Sequence, residues 1–157
     1  MLYAYRYYSP RNKELSKSES IVREISYEIK SEFNKVALNY AAKSLVKFIQ
    51  KDDILIPVPD SQGDTSANLV MARKIAKMSN VCICDLLSRS TNNIPTHYFK
   101  KVGIFDKQES NIVAKNINLQ GKRILLIDNV ITTGATIDHC KSALSKKDAI
   151  GLCFARA

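Results

Sequence analysis

The stretch from Ile124 to Thr136, ILLIDNVITTGAT, decides the fold of this chain. Four apolar residues lead into Asp128 and Asn129, and two more lead into a short run of Thr, Gly and Ala. An unbroken apolar run of this kind is typical of a strand buried on both faces. The polar pair and the small residues after it therefore predict the end of a buried strand and a turn into a helix that begins near Thr136.

Similar apolar runs recur along the chain and alternate with helical patterns. We predict strands in residues 1–8, 53–59, 81–87, 122–128 and 149–157, and helices in residues 19–50 (broken near 31–34), 66–78 and 136–147. Ser18 or Ser20 is the expected cap of the first helix. Buried strands that alternate with helices predict an α/β fold, in which a parallel sheet has helices on both faces and right-handed crossovers.

The turn after the strand has the composition of a phosphate-binding site. Ligands of open parallel sheets bind beyond the carboxyl ends of the strands. The backbone N–H groups at a helix start are unpaired, and the helix dipole favours an anion there. Gly134 permits close approach of the backbone, and Thr132, Thr133 and Thr136 add hydroxyl donors. We therefore predict a phosphate cradle, with the acid and amide before it placed to bond sugar hydroxyls.

Three other interpretations of this turn compete with the phosphate cradle. A Walker loop requires a Lys after its second Gly, and none follows here. A dinucleotide fingerprint requires three glycines, and this turn contains one. An ordinary strand-to-helix turn with Thr136 as the N-cap stays open if TTGAT is considered alone.

Composition indicates one globular domain over residues 1–157, with N-terminal strand and helices in 1–50 and a core in 51–157. The chain is 45% hydrophobic and 25% charged. No apolar run approaches the roughly 20 residues that span a bilayer, and the N-terminus lacks the apolar segment of a signal peptide. We expect a cytoplasmic protein without a membrane partner. The net charge of +9 favours anionic partners, either nucleic acid or small phosphorylated molecules.

The four cysteines, Cys82, Cys84, Cys140 and Cys153, do not have the spacing of a zinc site. Two of them lie in apolar, strand-like runs. We expect buried free thiols rather than metal ligands or disulfides.

The opening stretch resembles the phosphoribosyl pyrophosphate (PRPP) signature of type I phosphoribosyltransferases. It departs from that signature at Asn129, where the family usually carries a second acid. DILIPVPDS, residues 53–61, is similar to the first core strand and pyrophosphate loop of the competence-associated ComF-like branch. Residues 89–111 stand in the place of that branch's mobile loop, and FARA at 154–157 resembles its closing strand. The N-terminal zinc ribbon of many of those relatives is missing from this sequence.

This resemblance implies a Rossmann-like parallel sheet of the type I phosphoribosyltransferase fold with a small N-terminal strand-and-helix hood. It also implies a pentosyltransferase that transfers the 5-phosphoribosyl group from PRPP to a nitrogen acceptor, a nucleobase or an amine, and releases pyrophosphate. Mg²⁺ would bind with PRPP, held mainly by the ligand's oxygens and by Asp128 only through water. A homodimer is common in the family.

The resemblance assigns roles residue by residue. The catalytic pair would be Asp128 and Asn129. The 5-phosphate would be bound by Ile131, Thr132, Thr133, Gly134, Ala135 and Thr136. The pyrophosphate loop would be Pro59, Asp60, Ser61 and Gln62, and the mobile loop would supply Arg89, Lys100 and Lys101.

Because Asn129 carries no charge, a second class of function stays open. In that alternative the chain is a non-catalytic PRPP- or nucleotide-binding ComF-like protein that acts in DNA uptake or regulation. Its net charge predicts salt-sensitive binding to nucleic acid.

Overall fold

A computed structural model describes residues 1–6, 14–31, 34–60, 65–89 and 112–157 of the chain. Its described strands, in chain order, are β1 (Leu2–Arg6), β2 (Ile54–Pro57), β3 (Cys82–Ile83), β4 (Leu87–Arg89), β5 (Ile112–Ala114), β6 (Ile124–Ile131) and β7 (Ile150–Arg156). Five of them form one sheet in the order β1-β7-β6-β2-β3. Each neighbouring pair in that sheet is parallel. The predicted parallel α/β sheet is therefore confirmed.

Helices cover both faces of this sheet. The described α-helices are α1 (Lys17–Ser31), α2 (Lys35–Leu45), α3 (Ser66–Ser79) and α4 (Ala135–Ala143), and a short 3-10 helix (Val46–Phe48) follows α2. Side chains of α1, α2 and α3 pack with Leu55, Leu125 and Phe154 into one apolar cluster. Side chains of α4 pack with Leu126 and Cys153 into a second cluster on the other face. The alternation of side chains along each strand divides the core in this way.

The N-terminal segment belongs to the same sheet and the same core. β1 is the edge strand beside β7, with Leu2 opposite Leu152 and Arg6 opposite Arg156. α1 and α2 pack on the adjoining face. The expected N-terminal hood is thus an edge strand and two covering helices that join the central sheet directly.

Local capping explains where the first two helices begin. The Ser16 amide donates to Glu19 Oε2 (2.8 Å) and the Glu19 amide donates to Ser16 Oγ (3.3 Å), which is a capping box. The prediction that Ser18 or Ser20 caps α1 is therefore wrong. The predicted break is confirmed, because the Asn34 side chain accepts from the amides of Val36 and Ala37 and starts α2.

Residues 81–87 (VCICDLL) do not form the single strand that the sequence predicted. Only Cys82–Ile83 joins the main sheet, beside β2. Leu87–Arg89 instead pairs antiparallel with Ile112–Ala114 in a separate two-stranded ribbon. Ribbon residues Leu87 and Ile112 pack in the same cluster as α4, so the ribbon covers that face of the sheet.

A buried ion pair lies at the amino ends of β2 and β6. Arg123 Nη1 donates to both carboxylate oxygens of Asp53, at 3.2 and 2.9 Å, and Asp53 is only 1% exposed. The same carboxylate accepts from the Gln50 amide at 2.7 Å. This pair connects the two central strands at the edge opposite their carboxyl ends.

The four cysteines are free, as predicted, but not all are buried. Cys140 and Cys153 are buried, and burial raises the pKa of each thiol to about 12. Cys82 is exposed, which corrects the expectation for that residue, because β3 is an edge strand. Over the residues that the structure describes, no helix has the length and apolarity required to cross a membrane.

Candidate functional site

The site is defined by where the chain changes direction across the sheet. The chain leaves β2 for α3 on one face, whereas it leaves β6 for α4 on the opposite face. Because β2 and β6 are neighbours, the loops after them separate and leave a crevice at their carboxyl ends. Such a switch point is where ligands bind in open α/β sheets. Pro59 and Asp60, the described part of the predicted pyrophosphate loop, lie at this crevice together with the turn after β6.

Asp128 is exposed to the crevice because β2 ends earlier than β6. The Val58 amide still donates to Ile127 O (3.0 Å), but β2 stops at Pro57 and β6 continues for three residues beyond Asp128. The strand therefore does not end at Asp128 as the sequence led us to expect. Asn68, near the start of α3, occupies the position that a longer β2 would fill.

Asn68 is a site residue that sequence reasoning missed. Its Nδ2 donates to Val58 O (2.8 Å) and to Asp128 Oδ1 (3.2 Å), and the residue is only 6% exposed. The sequence contained a signal for this role, because Asn68 lies one i+4 step before Ala72 and two before Ala76, on the buried side of α3. A buried amide on an apolar stripe requires a partner, and here the partner is the acid of the site.

The carboxyl group of Asp128 has an unusual environment. Burial raises its pKa from 3.8 to about 6. Hydrogen bonds from the Asn129 amide (2.8 Å) and Asn68, and the nearby charge of Lys30, act in the opposite direction, while the carboxylate of Asp60 adds to the rise. A desolvated acid in a cleft, with its pKa moved toward neutrality, is typical of functional carboxyl groups.

The turn after β6 has the form of an anion cradle, with the Met1 side chain packed beside the buried Gly134. Gly134 is the N-cap of α4 with φ +87°, a conformation that favours glycine. The helix begins at Ala135, which confirms the predicted start near Thr136, but Thr136 is not its N-cap. Thr132 and Thr133 are exposed. Among the described residues, the Ala135 amide has a long bond to Thr133 Oγ1 (3.3 Å), and the amides of Thr132, Thr133 and Thr136 have no acceptor. These amides can donate hydrogen bonds to an oxyanion.

Ile131 contributes backbone rather than a side chain to this cradle. It is the last residue of β6, is 3% exposed and packs in the apolar cluster under α4. Its carbonyl accepts from the Ala157 amide at 3.1 Å. Ile131 therefore fixes where the turn begins.

Asn129 lies away from the position expected of a ribose ligand. Consecutive residues of a strand point to opposite faces, so Asn129 does not share the crevice with the Asp128 side chain. Its Nδ2 donates to the Ser26 carbonyl of α1 (2.7 Å), and the residue is 7% exposed. In the described part of the chain its Oδ1 is buried without a partner. This geometry makes Asn129 a tie between β6 and α1.

Asn129→Asp, which introduces the second acid of the signature that this stretch resembles, is expected to destabilise the protein by about 1–3 kcal/mol. The change replaces a donor to the Ser26 carbonyl by an acceptor and buries a carboxyl group. Because burial raises the pKa of an acid in the folded state, the loss should grow as the pH rises. Urea unfolding at two pH values measures it, with exposed Asn116→Asp as the control. An Asn129→Asp protein as stable as the control would contradict this assignment.

The remaining predicted residues divide between described and undescribed parts. Pro59 is buried and Asp60 is half-buried close to Asp128. Arg89 ends β4, and its charge lowers the pKa of Cys140 on α4. Its Nε is buried with no partner among the described residues. Ser61, Gln62, Lys100 and Lys101 lie outside the described residues, as does most of the predicted mobile loop.

Comparisons with known proteins give matches in structure only. No protein-family model matches this chain, and no curated protein is a significant match. It is similar to a purine phosphoribosyltransferase from Pyrococcus horikoshii, with a TM-score of 0.49, 18% sequence identity and 78% of this chain and 75% of that chain covered. It is also similar to a hypoxanthine phosphoribosyltransferase from Staphylococcus aureus, with a TM-score of 0.44, 14% identity, and 84% and 62% of the two chains covered. The geometry of the chain's own residues therefore carries the functional argument.

Proposed function

We propose that this chain is a phosphoribosyltransferase, which binds PRPP with Mg²⁺ and transfers the 5-phosphoribosyl group to a nitrogen acceptor. One observation carries the proposal. The desolvated Asp128 carboxyl group on β6 and the amides of the turn that follows β6 both belong to the switch point between β2 and β6. An acid beside an anion cradle fits a phosphorylated sugar better than either feature would alone.

The cradle would hold the 5-phosphate. Its donors are the backbone amides and hydroxyls of Thr132 to Thr136, and the helix dipole of α4 adds a favourable potential. Gly134 supplies the positive φ that turns these amides toward one point. Holding the phosphate fixes one end of the sugar and leaves the anomeric carbon directed along the crevice.

Asp128 would act on the sugar ring. The acceptor nitrogen attacks the anomeric carbon with its lone pair, and the bond from that carbon to the pyrophosphate oxygen breaks, so that pyrophosphate leaves with the electron pair. Positive charge develops on the ring in the transition state. A carboxylate in a water-poor crevice stabilises such charge far more than one in water. Asn68 holds one carboxylate oxygen in place, so it would be a positioning residue.

The carboxylates of the crevice fit Mg²⁺ as a ligand-borne ion. Asp60 is close enough that its charge raises the pKa of Asp128, and both side chains offer the oxygen atoms that Mg²⁺ prefers. No cluster of three or more metal-binding side chains occurs in the ranges that the structure describes. As the resemblance implies, the ion would be held mainly by PRPP oxygens, where it would neutralise charge on the leaving pyrophosphate.

The first experiment measures PRPP binding and turnover separately. Isothermal titration with PRPP and Mg²⁺ tests the donor site, and pyrophosphate release with purines, pyrimidines and ammonia tests the reaction. We expect saturable binding that requires Mg²⁺ and turnover with one acceptor class. Absence of PRPP binding would refute the proposal. Binding without turnover on any acceptor would favour a non-catalytic PRPP-binding protein.

The pH dependence of kcat/KM provides a second prediction. Protonation of Asp128 removes the charge that the transition state requires, so kcat/KM should fall about tenfold per pH unit below about pH 6. Asn68→Ala removes a bond that lowers the pKa of Asp128, so the fall should begin at a higher pH in that variant. An acid-side midpoint that does not move in the Asn68 variant would contradict the assignment.

A further inference from the structure

The outer side of α2 and α3 carries positive charge without compensating acids. Neither α2, KVALNYAAKSL, nor α3, SANLVMARKIAKMS, contains an Asp or a Glu. We call the cations of these helices and of the 3-10 helix between them the α2–α3 basic face; its members are Lys35, Lys43, Lys47, Arg73, Lys74 and Lys77. The chain has 15 acidic residues, but none of them lies in α2 or α3. The excess of positive charge is therefore concentrated in these helices as well as present in the chain as a whole.

The two helices present these cations as one surface. Lys74 Nζ donates to Asn39 Oδ1 at 3.4 Å and so bridges α3 to α2. The opposite sides of both helices are buried against the sheet. All six cations except the half-buried Lys74 are exposed. Since α2 alone is about 16 Å long, the face can contact several consecutive phosphates of an extended polyanion.

The stability of the fold accounts for only part of this charge pattern. Over the described ranges the ion pairs are Arg123–Asp53 and Lys141–Asp138, so no member of the face has an acidic partner. Arg73 and Lys77 are four residues apart on one helix, an arrangement that costs stability for like charges. Lys35 occupies the first turn of α2, where the helix dipole disfavours a cation. Three other members, Lys43, Lys47 and Lys77, lie in the last turns of their helices, where the dipole favours a cation. Helix stability therefore explains part of this charge, and the unfavourable positions require another explanation.

We propose that the α2–α3 basic face binds the phosphate backbone of nucleic acid independently of base sequence. Charge complementarity carries this assignment, because unpaired Lys and Arg along two adjacent helices are the means by which proteins neutralise phosphates. Tyr40, three residues before Lys43 on α2, stacks on Tyr5 but is still 45% exposed, so part of its ring remains open to a base. The face lies on α2 and α3, whereas the anion cradle lies before α4, so the two sites are separable.

The experiment uses the whole chain, a fluorescein-labelled oligonucleotide of about 30 residues and fluorescence anisotropy at about 50 mM salt. The test variant is Lys43→Gln, Arg73→Gln and Lys77→Gln combined. The matched control, Lys115→Gln, Lys146→Gln and Lys147→Gln, removes the same charge elsewhere on the chain. Thermal unfolding verifies that both variants fold, and removal of like-charge repulsion should leave the test variant at least as stable as the control.

We expect the test variant to lose at least about tenfold in affinity, with the salt slope reduced by about 2 for single-stranded DNA, and the control to change by less than about threefold. Duplex DNA of the same length shows whether single strands are preferred. Equal losses in both variants, or no binding by the unchanged protein, would overturn the assignment. Binding to anionic vesicles in place of nucleic acid would also overturn it. Because PRPP titration of the test variant should be unchanged, failure here is distinguishable from failure of the proposed transferase.

Discussion

Asp128→Asn is expected to reduce PRPP-dependent kcat/KM by about 10²-fold or more, since one preorganised group that stabilises transition-state charge is typically worth that much. At the same time the variant should be more stable than the unchanged protein near pH 8. The introduced amide can keep an oxygen to accept from Asn68 and the Asn129 amide, so the local contacts survive. The expected result is a folded, stabilised and nearly inactive protein.

The sign of the stability change follows from the raised pKa. The folded protein holds the Asp128 proton more tightly than the unfolded chain does, because its pKa is about 6 against an ordinary 3.8. The stability associated with this proton is fully present below about pH 4 and is lost as the pH rises through about 6. The difference amounts to about 3 kcal/mol at higher pH. The side-chain amide of the Asp128→Asn variant never ionises, so the variant does not incur that loss.

Urea unfolding at pH 4 and pH 8 measures the effect, with exposed Asp148→Asn as a control. The Asp128 variant should gain up to about 3 kcal/mol at pH 8 and almost nothing at pH 4, while the control changes little at either pH. If the Asp128→Asn variant were stabilised but fully active, Asp128 would have no role in the reaction. A variant destabilised at pH 8 would show that the carboxylate, rather than its proton, is what the fold requires.

Asp53→Ala is expected to cost about 2–3 kcal/mol, because the Asp53 carboxylate is buried whereas the Arg123 side chain left behind is 28% exposed and partly solvated. The substitution leaves the Arg123 guanidinium without its carboxylate and the Gln50 amide without its acceptor, at a position that is 1% exposed. The pair lies at the amino ends of β2 and β6, so PRPP affinity of the folded variant should be unchanged.

A surface ion pair provides the comparison for this prediction. Lys141 and Asp138 are 4.0 Å apart, and the Asp138 side chain is 75% exposed. Asp138→Ala should therefore cost less than about 1 kcal/mol. The double change Asp53→Ala with Arg123→Ala should cost less than the sum of the single changes, because no unpaired charge remains. Additive costs would show that the two groups do not stabilise the fold as a pair.

The sequence predicted the central sheet because its strands are buried on both faces. Residues 53–59, 122–128 and 149–157 read as continuous apolar runs, and the observed β2, β6 and β7 overlap them. The run at 81–87 has the same composition but splits between two sheets. A run of apolar residues predicts that a strand is buried, but it does not predict which strand will be its hydrogen-bonded neighbour. The pairing of β4 with β5 could therefore not be predicted from composition.

Orientation within the site was only partly predictable. The position of Asp128 beside a glycine turn followed from the order of residues in the chain. The direction of the Asn129 side chain could also have been predicted, because adjacent side chains of a strand point to opposite faces and β6 continues to Ile131. Asn68 is 60 residues away from Asp128 in the chain, and only the packing of α3 against β2 brings the two together.

The position of β1 has a consequence for how the chain folds. Leu2–Arg6 pairs with Ile150–Arg156, so nearly the full length of the chain separates two strands that must lie side by side. Contacts of such high contact order are formed at a large entropic cost and slow folding. During synthesis on a ribosome, β1 has no partner strand until residues Ile150–Arg156 have emerged.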